Sequence, residues 1–130
     1  MKVKRLTPIY MVNKLEDLLP FWVDRLGYRL TVKVPDEGSE PLVFAILHRE
    51  KTEVMLQTIA SAIEEVPSMA TRLEPGMCIH YMEVDDLDEA LKAFSPEQIV
   101  AAERSTFYGT REVVVVDPAG NLLEVAQRIQ

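Results

Sequence analysis

The sequence predicts an α+β fold made of two tandem β-α-β-β-β modules, and three observations carry that prediction. Val12–Trp22 can be laid over Val84–Phe94 at an offset of 72 residues without a gap, and Val, Leu, an acidic pair, Leu and an aromatic coincide. Each copy is followed by three runs rich in Val, Ile, Leu and Thr, the composition of strands. Asp117-Pro118-Ala119-Gly120-Asn121 is a strong turn signal between the last two runs. A unit this long is too large for a solenoid repeat, so two copies form one duplicated domain with a shared core.

Each module opens with a strand that ends in Val12 or Val84. A helix follows, because Leu15, Leu19 and Trp22, like Leu87, Leu91 and Phe94, recur at helical spacing and read as core. Asn13 with Glu16, and Asp85 with Asp88, resemble N-caps with an acid in the first turn. Pro20 conflicts with the first helix and should kink or shorten it. The later strands of the first module are expected at Tyr28–Val34, Leu42–Leu47 and Thr52–Thr58, with turns at Pro35–Gly38 and His48–Lys51. Those of the second are expected at Ile99–Glu103, Glu112–Val116 and Leu122–Ala126. Between the modules, Ser61–Val66 suggests a short helix, bounded by Pro67 and Pro75-Gly76. The chain is thus one domain, 1–130, with module 1 at about 1–58, a linker at about 59–76 and module 2 at about 77–130.

Composition narrows the function. The chain has 130 residues, the size of a single domain, and 48% apolar with 27% charged residues is a globular balance. A net charge of −7 argues against partners that are polyanions, nucleic acid or an anionic membrane. The longest stretch free of Asp, Glu, Lys and Arg is Val54–Ile63, far short of a membrane span. Pro8 and the charges from Lys14 onward break any signal-peptide pattern, so a cytoplasmic location is expected. Cys78 is the only cysteine, which excludes an intrachain disulfide; it reads as a small hydrophobe in an apolar run.

Two stretches resemble the vicinal oxygen chelate superfamily of glyoxalases, extradiol dioxygenases and bleomycin-resistance-type proteins. Thr7–Val12, with the helix ending Phe21-Trp22-Val23-Asp24-Arg25-Leu26-Gly27-Tyr28, is similar to the family's opening strand and helix exit. Gly109–Glu124 is similar to its closing hairpin and is the more specific of the two. The resemblance implies that the modules form an open, U-shaped mixed β-barrel around a cavity, with the helices outside.

The resemblance also implies where a divalent metal would be held in the family's enzymes: near the start of each module's first strand and on each module's last strand. Those positions fall on Thr7, Ile79, Glu124 and, in the first module, Leu56, or Val54 if the register slips by two. Glu53 has the opposite parity to Leu56 and should face away. One carboxylate among these residues is not an ordinary metal site, so neither a metal nor another cofactor is expected. His80 shares the parity of Met82 and Val84 and should pack on the helix, unless a bulge rotates it. His48, beside a charged turn, reads as a surface residue, and no Ser-His-Asp arrangement stands out.

The reading that follows is a metal-free binding protein of the bleomycin-resistance type, taking a small, partly aromatic molecule into a largely apolar cavity. Its lining would comprise Thr7, Ile9, Leu56, Ile79, Tyr81, Tyr108, Arg111 and Glu124. Glu124 is the best catalytic candidate, as a base in an apolar cavity, unless Arg111 neutralises it. One alternative is a metal-dependent lyase, isomerase or dioxygenase with displaced ligands, drawing on Glu124, His80 and Glu83. Another is an interaction or regulatory domain with a vestigial cavity. A homodimer is expected, because the resemblance implies that chains of this length pair, and because Ile9, Met11, Leu56, Ile79, Tyr81 and Leu122 would otherwise meet water on the concave face.

Overall fold

The structure is a computed structural model that describes residues 1–129; Gln130 lies outside the described residues. Among these residues are eight strands: β1 Val3–Val12, β2 Arg29–Pro35, β3 Leu42–Arg49, β4 Thr52–Thr58, β5 Cys78–Val84, β6 Ile99–Ser105, β7 Thr110–Val116 and β8 Leu122–Arg128. Two short helices join them, α1 Ile59–Glu65 and α2 Leu87–Leu91. The hydrogen-bonded order is β2-β3-β4-β1-β5-β8-β7-β6, a mixed sheet. In both modules the first strand pairs parallel with the last, β1 with β4 and β5 with β8, and the other ladders within each module are antiparallel. The α+β class and the duplication are therefore as the sequence indicates. None of the described helices is long and apolar enough to cross a membrane.

The chain divides into two compact units, Pro8–Cys78 and Met1–Thr7 with Ile79–Gln130, so β1 changes unit at Pro8. In the Pro8–Cys78 unit the expected first helix is absent as an α-helix. A 3₁₀ turn, Leu15–Asp17, is followed by a π-helical segment, Pro20–Arg25. Pro20 opens that segment, where its missing N–H costs nothing. Leu26 N–H then reaches back to Phe21 O at 3.1 Å and Tyr28 N–H to Trp22 O at 2.9 Å. Lys14, not Asn13, precedes the first turn. Glu16 instead accepts a 2.7 Å hydrogen bond from Leu42 N–H, which holds its carboxyl below the usual range. Val12, Leu15, Leu47, Val54 and Leu56 form the helix-side core, with Tyr10, Leu19 and Trp22 packed on it. The linker helix α1 starts at Ile59, two residues sooner than expected, with Thr58 Oγ1 accepting from Ser61 N–H.

In the other unit α2 ends at Leu91, short of Phe94, and its N-cap is Asp86, whose carboxylate accepts from Glu89 N–H at 3.0 Å. Asp85, one residue earlier, takes Lys2 N–H at 2.6 Å instead. Val84, Leu87, Ala90, Val113, Val115 and Val125 make the helix-side core, with Met82, Phe94 and Leu123 against it. The strands that end the hydrogen-bonded order, β2 and β6, have no fully buried residue and carry register breaks. Bulges of this kind blunt sheet edges.

Candidate functional site

Strand alternation sorts the predicted site residues between two faces. In the Pro8–Cys78 unit Tyr10 registers with Leu56 and Ile9 with Met55, while Ile46 also faces Met55. Leu56 and Val54 therefore belong to the helix-side core, and the face shared with Ile9 carries Met55. Ile9 and Tyr81 are equivalent under the 72-residue repeat, and Tyr81 registers with Glu124. Met55 is thus the first-module counterpart of Glu124, which corrects the assignment to Leu56. Glu53 shares the Met55 face, also contrary to expectation, because its register partner His48 lies two residues along from Ile46.

In the other unit the face opposite α2 is rich in charge. Tyr81, Glu83, Glu112, Val114, Glu124 and Ala126 alternate onto it from β5, β7 and β8. Arg5 joins from β1, its guanidinium 5.3 Å from the centre of the Tyr81 ring and its Nε 3.5 Å from Glu83 Oε1. Arg128 Nη2 reaches the same Glu83 oxygen at 3.4 Å. Thr7 and Ile79, both buried, continue this face by alternation.

Glu112 is the most enclosed acid, 1% exposed. Its Oε1 accepts from Arg104 Nη2 at 3.1 Å, and its Oε2 accepts the Tyr108 and Thr110 hydroxyls, each at 2.7 Å. Burial pushes the Tyr81 phenol up to about 12, with the Glu112 and Glu83 charges adding to it and Arg5 opposing. Tyr108 is 40% exposed and stacks edge-on with Phe107, 5.1 Å between ring centres. It marks the solvent side of this face.

Arg111 is not on this face. Its parity is that of Val113, and its guanidinium is held by Glu103 at 2.7 and 2.9 Å and by Asp88 at 2.9 Å. Those carboxylates raise its pKa further, so it stays a cation on the helix side. His80 registers with Leu123, on the α2 side, as its parity indicates. Tyr81, Glu124, Thr7, Ile79 and Tyr108 are therefore in one unit, while Ile9 belongs to the other. Glu112, Arg5 and Arg104 are additions that the sequence reading missed.

A metal site can be tested against these side chains. At the positions the family uses stand Thr7, Met55, Ile79 and Glu124, a donor set with one carboxylate. Glu83 is engaged by two arginines. Among the described residues no three His, Cys, Asp or Glu side chains come together as a metal ion would need. This donor set does not fit a divalent cation.

Comparison with known proteins places the chain. Its fold is that of a glyoxalase/bleomycin resistance protein/dioxygenase superfamily member from Vibrio splendidus 12B01, with a TM-score of 0.70 at 22% identity over 97% of this chain and 99% of that one. A protein from Staphylococcus aureus matches with a TM-score of 0.68 at 12% identity, over 98% and 99%. Methylmalonyl-CoA epimerase from Mycobacterium tuberculosis matches with 0.60 at 16% identity, over 98% and 88%. No curated protein matches significantly. The family model for the Glyoxalase/Bleomycin resistance protein/Dioxygenase superfamily matches residues 3–125. The chain belongs to that superfamily.

Proposed function

We propose that the protein binds a small, partly aromatic molecule, without a metal, on the face built from Arg5, Thr7, Ile79, Tyr81, Tyr108 and Glu124. The carrying observation is the residue types at the positions where the resemblance implies metal ligands: Thr7, Ile79 and Glu124 in one unit and Met55 in the other, with one carboxylate among the four. Tyr108 offers an exposed ring, and a ligand that opens the buried face beside it would meet the Tyr81 ring, the Ile79 side chain and the Glu124 carboxylate, an acceptor for a donor or cation. The protein works in the cytoplasm as a homodimer, and nucleic acid and membranes are not its partners.

Native mass spectrometry of freshly purified protein tests this reading. A bound small molecule, displaced in Tyr81→Ala and Glu124→Gln, is expected. A stoichiometric divalent ion that disappears in Glu124→Ala would refute it and restore the metal-enzyme alternative.

A second reading has its own observation. Ile9, Met11, Met55, Ile79, Tyr81, Val114 and Leu122 are each at most 5% exposed in the chain without ligand. An interaction or regulatory domain whose binding face has become core would look like this. Failure to retain any ligand, with Tyr81→Ala strongly destabilising, would favour it.

A further inference from the structure

The three strands β2, β3 and β4 bring together a hydroxyl, an imidazole and a carboxylate that the family reading leaves unused. Thr31 Oγ1 lies 2.8 Å from His48 Nδ1, and His48 Nε2 lies 2.6 Å from Glu53 Oε2. Glu53 can only accept as a carboxylate, so Nε2 carries a proton. In the neutral ring Nδ1 then holds a lone pair, and it faces the Thr31 hydroxyl. This is the tautomer a general base needs.

The surroundings suit the same role. Thr31 sits at the register break between Leu30 and Val32, so its side chain turns toward His48. Thr31 is exposed on strand β2, which leaves room for an incoming carbonyl. Glu53 and His48 are partly buried, with side-chain exposures of 16% and 33%, and the carboxylate holds the ring in place. Thr31 Oγ1 also reaches Ile46 O at 3.1 Å, an acceptor for its proton whenever Nδ1 is itself protonated. Arg29 registers directly opposite His48 and puts a cation on the same face.

We propose that Thr31, His48 and Glu53 form a nucleophile, base and orienting acid that transfer acyl groups from small activated esters. Thr31 Oγ1 attacks the ester carbonyl as His48 Nδ1 takes its proton. The carbonyl carbon–leaving oxygen bond breaks, and the proton passes to the departing phenol or alcohol. Water then attacks the acyl-threonine, gives a proton to His48, and releases a carboxylic acid while Thr31 regains its hydrogen. Activated esters are the class named because their leaving groups depart readily with His48 as the one proton carrier.

The test is hydrolysis of p-nitrophenyl acetate by the full chain. Wild type should turn over the ester and carry one acetyl group on Thr31 in a peptide map of quenched protein. Thr31→Val and His48→Asn should each lose about 100-fold or more of the rate, while Thr31→Ser retains it. Equal rates for wild type and Thr31→Val would overturn the proposal. If Thr31→Val does not fold, the map decides: no acetyl on Thr31 of the wild type also overturns it. Neither outcome touches the small-molecule binding proposed above, which rests on the other unit's residues and is read by mass spectrometry.

Discussion

Truncating Glu112 should be among the most damaging single changes in this protein. Its side chain is fully enclosed, while its partner Arg104 keeps 24% of its side chain exposed. Glu112→Ala removes the acceptor shared by the Arg104 guanidinium and the Tyr108 and Thr110 hydroxyls, of which Thr110 keeps Thr106 Oγ1 at 2.7 Å. Removing one partner of a buried ion pair costs about 3–5 kcal/mol, and the partly solvated arginine argues for the lower end, about 3. The two hydroxyls add about 1 kcal/mol together, since water can reach Tyr108 from its exposed side. The total of about 4 kcal/mol is a large share of a typical domain's stability and should lower Tm by about 15 °C. Glu112→Gln keeps an oxygen for the hydroxyls but turns its amide toward Arg104, so about 2 kcal/mol is expected. Urea unfolding followed by circular dichroism, with unchanged slope, measures both variants. A loss below about 1 kcal/mol for Glu112→Ala, the size of a surface ion pair, would refute the argument that this cluster is a closed one.

Four further outcomes follow. Tyr81 should ionise only near 12 in an ultraviolet titration, and Tyr81→Phe should remove that step. Its folded value lies above its unfolded one, so its contribution is complete below pH 10 and is lost as pH rises through about 12. Glu16, Asp85, Glu103 and Asp117 are all depressed by hydrogen bonds in the fold, from ordinary values of 4.5 and 3.8. Their stabilisation is therefore present above those values and lost as pH falls below them, and Asp117→Asn should flatten the acid limb of a stability–pH curve. Gly27→Ala should cost about 1 kcal/mol or more in a thermal melt, because Gly27 has φ +74° and the new Cβ would stand 2.5 Å from Arg49 Nη1, which is bonded to Leu26 O. Sedimentation equilibrium at micromolar concentration should show a dimer; a single species near the 14.8 kDa chain mass would refute the proposed assembly.

How much was legible depends on what fixes strand register. Antiparallel hairpins announce theirs. A turn centred on Ala119 pairs Val116 with Leu122 and hence Val114 with Glu124, so Glu112, not Arg111, shares the Glu124 face. The same logic around Glu50-Lys51 pairs His48 with Glu53, and both could have been found from sequence. Parallel pairs have no such turn. The register of β1 on β4 is set by packing across a long crossover, and it was misplaced by one residue, which moved the site from Met55 to Leu56. The helix of the first module was misjudged for a different reason. Leucine spacing is satisfied equally by a 3₁₀ turn and a π-helical segment once Pro20 denies the α-helical ladder. The apolar residues expected to need a dimer partner, Ile9, Met11, Leu56, Ile79, Tyr81 and Leu122, are all buried within the one chain, so the homodimer proposal rests on the family resemblance and no longer on them.

The two modules have diverged unequally, and the inequality carries the functional argument. Their helix-side cores remain alike, both built from Val, Leu and Ala with an aromatic, Trp22 or Phe94, against the sheet. On the opposite faces the counterparts differ. Ile9, Met55 and Ile46 of the first module correspond to Tyr81, Glu124 and Val114 of the second. Core packing constrains volume and polarity, so helix-facing positions drift slowly between copies of one fold. A buried carboxylate is costly unless something answers its charge. The unit that holds the second module keeps Glu83, Glu112 and Glu124 buried on one face with Arg5, Arg104 and Arg128 around them, where the first module's matching positions carry Met11, Phe44 and Met55. Stability alone would favour the apolar version. The retained charge is why the binding proposal rests on the second module's face rather than on the repeat as a whole.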